Sequence, residues 1–274
     1  MEKLTRANLF GYVTNENNRP YLEKLLIDYG KVVELFRDSE FIMGQIESHF
    51  IINQDFVEHK KDFFGFLEMA FELINRIKNE EFRFFLGKEL SEIEKSVDQN
   101  SFNKAFALLI NAISKFQNKI ITDNFLPGSI NSLDIGISDY PQTFLSYAYD
   151  DKGISLCLFL YFLSNKGFLY VDWMWNKELS GVEIKEKMFK QLEKSKYFLF
   201  LRTPNSEFPY KHGRNMIREW CSWEIGCFYK GRLPGRKFYT CFYEYSKPKN
   251  DLLSDFKAAD IVENGEIIEY IPYL

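Results

Sequence analysis

The chain has 274 residues, 46% hydrophobic and 27% charged, which suits one large domain or two ordinary ones and excludes disorder or a low-complexity linker as its main state. Its formal charge is −4 and neither half is strongly basic, which argues against phosphate-driven binding of nucleic acid. The cysteines (Cys157, Cys221, Cys227, Cys241) form no C-x-x-C pair and the histidines (His49, His59, His212) are scattered, so neither a disulfide framework nor a metal site is expected and a reducing compartment fits.

The start, Met1-Glu2-Lys3-Leu4-Thr5-Arg6, lacks the apolar core of a signal peptide. The longest uncharged apolar stretch lies between Lys152 and Lys166, well short of the roughly 20 residues that span a bilayer. A cytoplasmic protein with no membrane partner and no direct nucleic-acid contact is expected. Phenylalanine is abundant, at 28 residues, which points to large cores and a buried interface.

The first half reads as helices. Leu22, Leu25, Leu26, Tyr29, Val32, Val33 and Phe36 recur at three- and four-residue steps, as do Phe63, Leu67, Phe71, Ile74 and Ile77. A helix over 81–97 follows, and then one carried by Phe106, Leu109, Ile110, Ile113 and Phe116, with Ser101 placed upstream as an N-cap. No repeat of fixed period appears, so the expectation is a helical bundle over residues 1–138. Its role, assembly or sensing, stays open. Leu126-Pro127-Gly128-Ser129 is a turn signal, and the pattern changes after it.

From 139 to 274 short apolar runs alternate with helical ones. Strands are expected at 143–147, 168–171, 197–201, 238–243 and 267–271. Helices are expected at 154–163, with Gly167 ending the first, at 184–192 and at 215–229, and the stretch 202–214 reads as polar loop. The run Tyr197-Phe198-Leu199-Phe200-Leu201 is apolar throughout, as a strand buried on both faces should be. This alternation implies a parallel sheet with ligands at the carboxyl ends of its strands, and so places 146–151, 172–181 and the segment from 202 onward on one rim.

The sharpest local feature is Trp220-Cys221-Ser222-Trp223-Glu224. On a helix Trp220 and Glu224 share a face, with Cys227 one turn further. Taken alone, this pattern reads first as a packed tryptophan beside a solvated glutamate.

Several boxes in this order resemble those of the Toll/interleukin-1 receptor (TIR) domains. Thr143-Phe144-Leu145-Ser146-Tyr147-Ala148-Tyr149-Asp150-Asp151 looks like their first box, and Gly167-Phe168-Leu169-Tyr170-Val171-Asp172 like the second strand leading into the BB loop. Ser195 before the 197–201 strand is also familial, and Trp220-Cys221-x-x-Glu224 is similar to the W-C-x-x-E box of the catalytic members. The resemblance covers about half of the chain, from roughly residue 140 onward. It implies a flavodoxin-like α/β fold with a five-stranded parallel sheet behind an N-terminal all-α domain. It also implies an NAD hydrolase or ADP-ribosyl cyclase that cleaves the nicotinamide–ribose bond, with NAD as substrate and no cofactor.

By that resemblance Glu224 falls on the catalytic glutamate. Ser146, Tyr147 and Asp151 would sit at the nucleotide end of the rim. Tyr170 and Trp173 would offer aromatic faces to the ligand or else pack under the sheet. Trp220 would shape the pocket floor, and Cys221 reads as a small buried residue. The chemistry is coherent: nicotinamide leaves a pyridinium as a neutral molecule and needs no general acid, and one carboxylate can steady the oxocarbenium-like sugar. Homo-oligomers through TIR–TIR and helical-domain contacts are implied as partners, as is a bacterial antiphage role by family analogy. The alternative is a non-catalytic adaptor acting through homotypic contacts; a third reading is a nucleotide-sugar or deoxyribonucleoside transferase on a similar sheet.

Some positions depart from the family pattern. Gly181 is followed by Val182 and Glu183 rather than leading a Gly-x-Ser, Thr203-Pro204-Asn205-Ser206 replaces a serine after the third strand, and the stretch 207–218 is long. Lys211, Arg214 and Arg218 in it either meet a pyrophosphate or form a solvated surface. With no G-x-G-x-x-G, a Rossmann dehydrogenase is disfavoured.

Overall fold

The computed structural model describes residues 5–51, 63–97, 102–133, 140–175, 181–210, 214–230, 235–241, 253, 256–259, 261–263 and 266–268. They form two compact units: 5–125 with 152–154, and 126–151 with 155–274. The residues after the 126–129 turn, including the short 3-10 helix Ser129–Ser132, thus group with the second unit rather than the first. Gly128 makes the break, taking the left-handed conformation (φ 74°) that a residue without a Cβ adopts at little cost.

The first unit is helical: α1 (Arg6–Thr14), α2 (Arg19–Leu25), α3 (Tyr29–Ile46), α4 (Phe63–Asn75), α5 (Glu80–Ser96) and α6 (Phe102–Asn124). The apolar run from Leu22 to Phe36 is split in two because Asp28 caps α3, its carboxylate accepting the Lys31 N–H at 2.9 Å. Asn79 caps α5 in the same way through the Phe82 N–H. Asp38 in α3 adds a tie by accepting the Asn79 backbone N–H at 3.0 Å, which fixes the start of α5. Ring contacts join the helices: Phe10 to Phe36, Phe66 to Phe102 and Phe106, and Phe82 and Phe85 to Phe116. Ser101 lies outside the described residues.

The second unit is α/β. Its elements are β1 (Gln142–Ser146), α7 (Lys152–Ser164), β2 (Phe168–Tyr170), the single turn α8 (Asp172–Trp175), α9 (Gly181–Lys194), β3 (Tyr197–Leu201), β4 (Glu207–Tyr210), β5 (Arg214–Ile217), α10 (Glu219–Lys230), β6 (Lys237–Cys241), β7 (Lys257–Ala258), β8 (Ile261–Glu263) and β9 (Glu266–Ile268). Strands β2, β1, β3 and β6 pair in that order, all parallel, and the two-residue β7 continues the sheet beyond β6.

Strand alternation sorts the side chains. Phe144, Phe168, Tyr170, Phe198 and Phe200 share a core with Met188 and Leu192 of α9 and with Cys221, Ile225 and Phe228 of α10. Phe198 sits among four rings, those of Phe144, Phe228, Phe238 and Phe256. Residues 152–163 of α7 are buried, as a helix apolar on every side requires.

Three expectations are corrected. The fifth strand is β7; Glu266–Ile268 instead pairs antiparallel with Ile261–Glu263, and residues 269–271 lie outside the described set. The hairpin is clasped to the β3 start, where Glu266 accepts from Lys196 at 2.7 Å and from the Tyr197 hydroxyl. The stretch 202–214 is not all loop, because β4 and β5 form a separate antiparallel pair and β5 takes residues 215–217 from the expected helix. Helix α7 ends at a left-handed Lys166 (φ 59°) rather than at Gly167, whose N–H bonds back to the Phe162 carbonyl at 2.8 Å.

Candidate active site

Ser146 is the last residue of β1 and follows Phe144 by two, so alternation turns its hydroxyl to the face that α10 covers. On α10 the side chains of Cys221, Glu224, Ile225 and Phe228 are buried. The two patterns meet at the carboxyl end of the sheet, where the Ser146 hydroxyl and Glu224 Oε2 are hydrogen-bonded at 2.5 Å. Glu224 is 3% exposed. Among the described residues no basic side chain pairs with it.

Burial holds the Glu224 carboxyl well above the ordinary carboxylate range, and the negative charge of Asp172 adds to that; the Ser146 hydroxyl and the Trp220 indole pull the other way. Tyr147, next to Ser146, sends its hydroxyl to the Asp172 carboxylate. Burial, then Asp172, pushes the Tyr147 phenol well above its usual value, so it acts as a neutral donor. The Cys221 thiol is pushed up to about 12, first by burial and then by Glu224, and donates to the Tyr147 carbonyl at 3.4 Å. A thiol held in that form is no nucleophile, in keeping with a small buried residue. The described residues hold no group of His, Cys, Asp or Glu arranged for a metal ion.

The remaining candidates divide. Asp151 is buried at the same rim, where its two oxygens accept from Thr203 Oγ1 at 2.6 Å and from Asn205 Nδ2 at 2.8 Å. Thr203 Oγ1 also accepts the N–H groups of Asn205 and Ser206, so Asp151 anchors the turn after β3. Arg202 and Glu207 close the base of that turn with a buried ion pair at 2.5 Å. Tyr170 is in the core, stacked on Trp175 (5.4 Å between centroids, 24° between planes) and on Phe144. Trp173 is buried with its indole donating to the Ser155 hydroxyl at 2.9 Å. Both aromatics therefore pack rather than face outward.

Trp220 is 38% exposed and lies against Trp223, with the Lys185 ammonium 5.6 Å from its ring centre. Arg218 is half exposed and 4.0 Å from Asp150. Lys211 lies outside the described residues, as do 176–180 of the loop after α8, and of Arg214 only the backbone is described.

No protein-family model, curated protein or solved structure matches the chain. The geometry of the site joins Ser146, Tyr147 and Glu224 and adds Asp172, Thr203 and Asn205, which sequence reasoning did not single out. Each of the three follows the carboxyl end of a strand, β2 or β3, and that position was the available signal.

Proposed function

We propose that the α/β unit is a TIR-type domain that cleaves NAD at the nicotinamide–ribose bond, with Glu224 as the acting carboxylate. The observation that carries the reading is the Glu224 carboxyl, buried on α10 and bonded to Ser146 at the carboxyl end of β1. Its place in the sheet supports the reading too. Counted along the chain, the sheet strands lie in the order 2-1-3-4-5, that of flavodoxin-like folds, whose ligands bind where β1 has neighbours reached in opposite directions. Ser146 at the end of β1 and Thr203 after β3 flank that point.

The chemistry asks little more of the protein. The pyridinium carries its own positive charge out of the bond, so the departing ring is neutral without a proton. The carboxylate then meets a sugar that is gaining positive charge, and a buried anion stabilises that charge more than a solvated one does. In this reading the Glu224 carboxylate also holds a ribose hydroxyl of the substrate. Tyr147 and Asp172 brace the neighbouring rim.

A second reading is a homotypic adaptor. It is favoured by Val182 and Phe189, exposed seven residues apart on α9, and by the exposed ring of Trp220 on α10. The two readings combine if copies of the chain assemble through that surface and activity follows assembly.

Incubation of the concentrated full chain with NAD, with and without a crowding agent, followed by chromatography of the products, tests the reading. Nicotinamide with ADP-ribose indicates capture by water, and nicotinamide with cyclic ADP-ribose indicates capture by the adenine. Unchanged NAD in every condition contradicts the reading and leaves the adaptor.

A further inference from the structure

The turn after β3 spends its hydrogen-bond donors on itself. The Thr203 N–H donates to the Ser206 hydroxyl at 2.9 Å, and the Asn205 and Ser206 N–H groups donate to Thr203 Oγ1 at 3.2 and 3.1 Å. The Glu207 N–H donates to the Thr203 carbonyl at 3.1 Å, and Pro204 has no N–H to offer. The hydroxyls are engaged as well, Thr203 donating to Asp151 and Ser206 to the Thr203 carbonyl. The two arginines beside the turn already face acids, Arg202 with Glu207 and Arg218 with Asp150. A phosphate at this place finds no backbone donor.

Asp151 also sets the Asn205 amide. A carboxylate only accepts, so the amide must turn its nitrogen to it, as the 2.8 Å bond from Asn205 Nδ2 records. The amide oxygen then points away from Asp151, and among the described residues nothing donates to it. Thr203 and Ser206 are buried, whereas Pro204 and Asn205 are half-buried at the tip of the turn. Asn205 Oδ1 is thus an acceptor on the rim beside the end of β1, where Ser146 lies in register with Phe200 of β3.

We propose that Asn205, its amide fixed by Asp151, is a specificity-determining residue whose Oδ1 accepts from the adenosine ribose diol of a dinucleotide and keeps phosphate off that sugar. The inference rests on the reading of Glu224 as the carboxylate that acts on the nicotinamide ribose, which leaves the adenosine ribose as the ligand's other diol. A 2′-phosphate there replaces a donor with a dianion, which meets the amide oxygen and, behind it, the Asp151 carboxylate.

Calorimetry on the 274-residue chain with ADP-ribose and 2′-phospho-ADP-ribose tests this without turnover. The wild type is expected to bind ADP-ribose roughly tenfold or more tightly than its 2′-phosphate. Asn205→Ser keeps a donor near Asp151 but lacks the amide oxygen. It is expected to weaken ADP-ribose by about tenfold and to remove most of the preference. Asp151→Asn tests the positioning. Thr203 Oγ1 already accepts two N–H groups, so its hydroxyl goes on donating and takes the oxygen of the new amide. The nitrogen of the new amide then faces Asn205, which turns its own oxygen inward and presents Nδ2 at the rim. The preference is expected to invert in favour of the phosphorylated probe.

Equal affinities in the wild type, no binding of either probe, or a wild-type preference that survives in folded Asn205→Ser or folded Asp151→Asn overturns the proposal. Should Asp151→Asn not fold, Asn205→Ser decides, because it leaves the Asp151–Thr203 bond in place. The two claims separate. Nicotinamide release from NAD by a protein that does not discriminate between the probes refutes the Asn205 role and spares the cleavage. Discrimination without nicotinamide release refutes the cleavage and spares the acceptor.

Discussion

The Glu224 carboxyl has exchanged water for one hydroxyl and the edge of an indole ring, and that exchange has a sign that stability measurements reveal. Its folded pKa lies above its unfolded value of 4.5, so in the window between the two the folded chain holds more protons than the unfolded one. The stabilisation is therefore fully present below pH about 4.5 and is lost as pH rises through the folded value. Glu224→Gln keeps the shape and the hydrogen-bonding capacity without an ionisable group. Urea denaturation is expected to give Glu224→Gln a higher midpoint than the wild type at pH 8 and the same midpoint at pH 4. A wild-type advantage at pH 8 would mean that the carboxylate is well solvated or paired. The Trp220–Glu224 spacing was legible in the sequence because helical period alone puts both on one face. The contact to Ser146 spans 78 positions and the pairing of Tyr147 with Asp172 spans 25, and no local pattern encodes either. Tyr170 and Trp173 show the converse: as aromatics beside a rim they read equally well as ligand platforms or as packing, and only the positions of Trp175 and Ser155 decide for packing.

At the level of elements, the strands that were legible are those with continuous apolar runs. The Tyr197–Leu201 strand was read residue for residue because burial on both faces leaves no polar position in it. The β4–β5 hairpin was missed because Arg202, Glu207 and Arg214 made its segment look like solvated loop, although Arg202 and Glu207 neutralise one another in the interior. The last strand was misplaced because Ile267 and Ile268 have strand chemistry but belong to a two-stranded pair, while the sheet takes the unremarkable Lys257 and Ala258. The end of α7 carries a further lesson. Gly167 is the terminating residue that composition suggests, yet the left-handed position is Lys166, where a Cβ costs about 1 kcal/mol. Lys166→Gly is expected to raise stability by roughly 0.5–1 kcal/mol in urea denaturation. A loss of stability instead would show that Lys166 does not hold that conformation in solution.

Across the whole molecule, the abundance of phenylalanine is explained by two aromatic cores, one in each unit. Phe66, Phe102 and Phe106 serve the helices, and Phe144, Phe198, Phe228, Phe238 and Phe256 the sheet. The change of pattern from helical to alternating was visible in the sequence, and so was the turn that accompanies it. Residues 126–133 have too little periodicity to declare from sequence which unit they join, and they group with the sheet unit. Among the described residues no helix is long and apolar enough to cross a membrane. The proposed cleavage rests on Glu224 acting at a glycosidic bond, and assembly of the chain is part of the proposed route to activity. The direct measurement is nicotinamide release from NAD by the concentrated 274-residue chain, wild type beside Glu224→Gln, with circular dichroism to establish that both are folded. The account predicts release by the wild type and a loss of at least roughly a hundredfold in Glu224→Gln; equal rates for two folded proteins would contradict it.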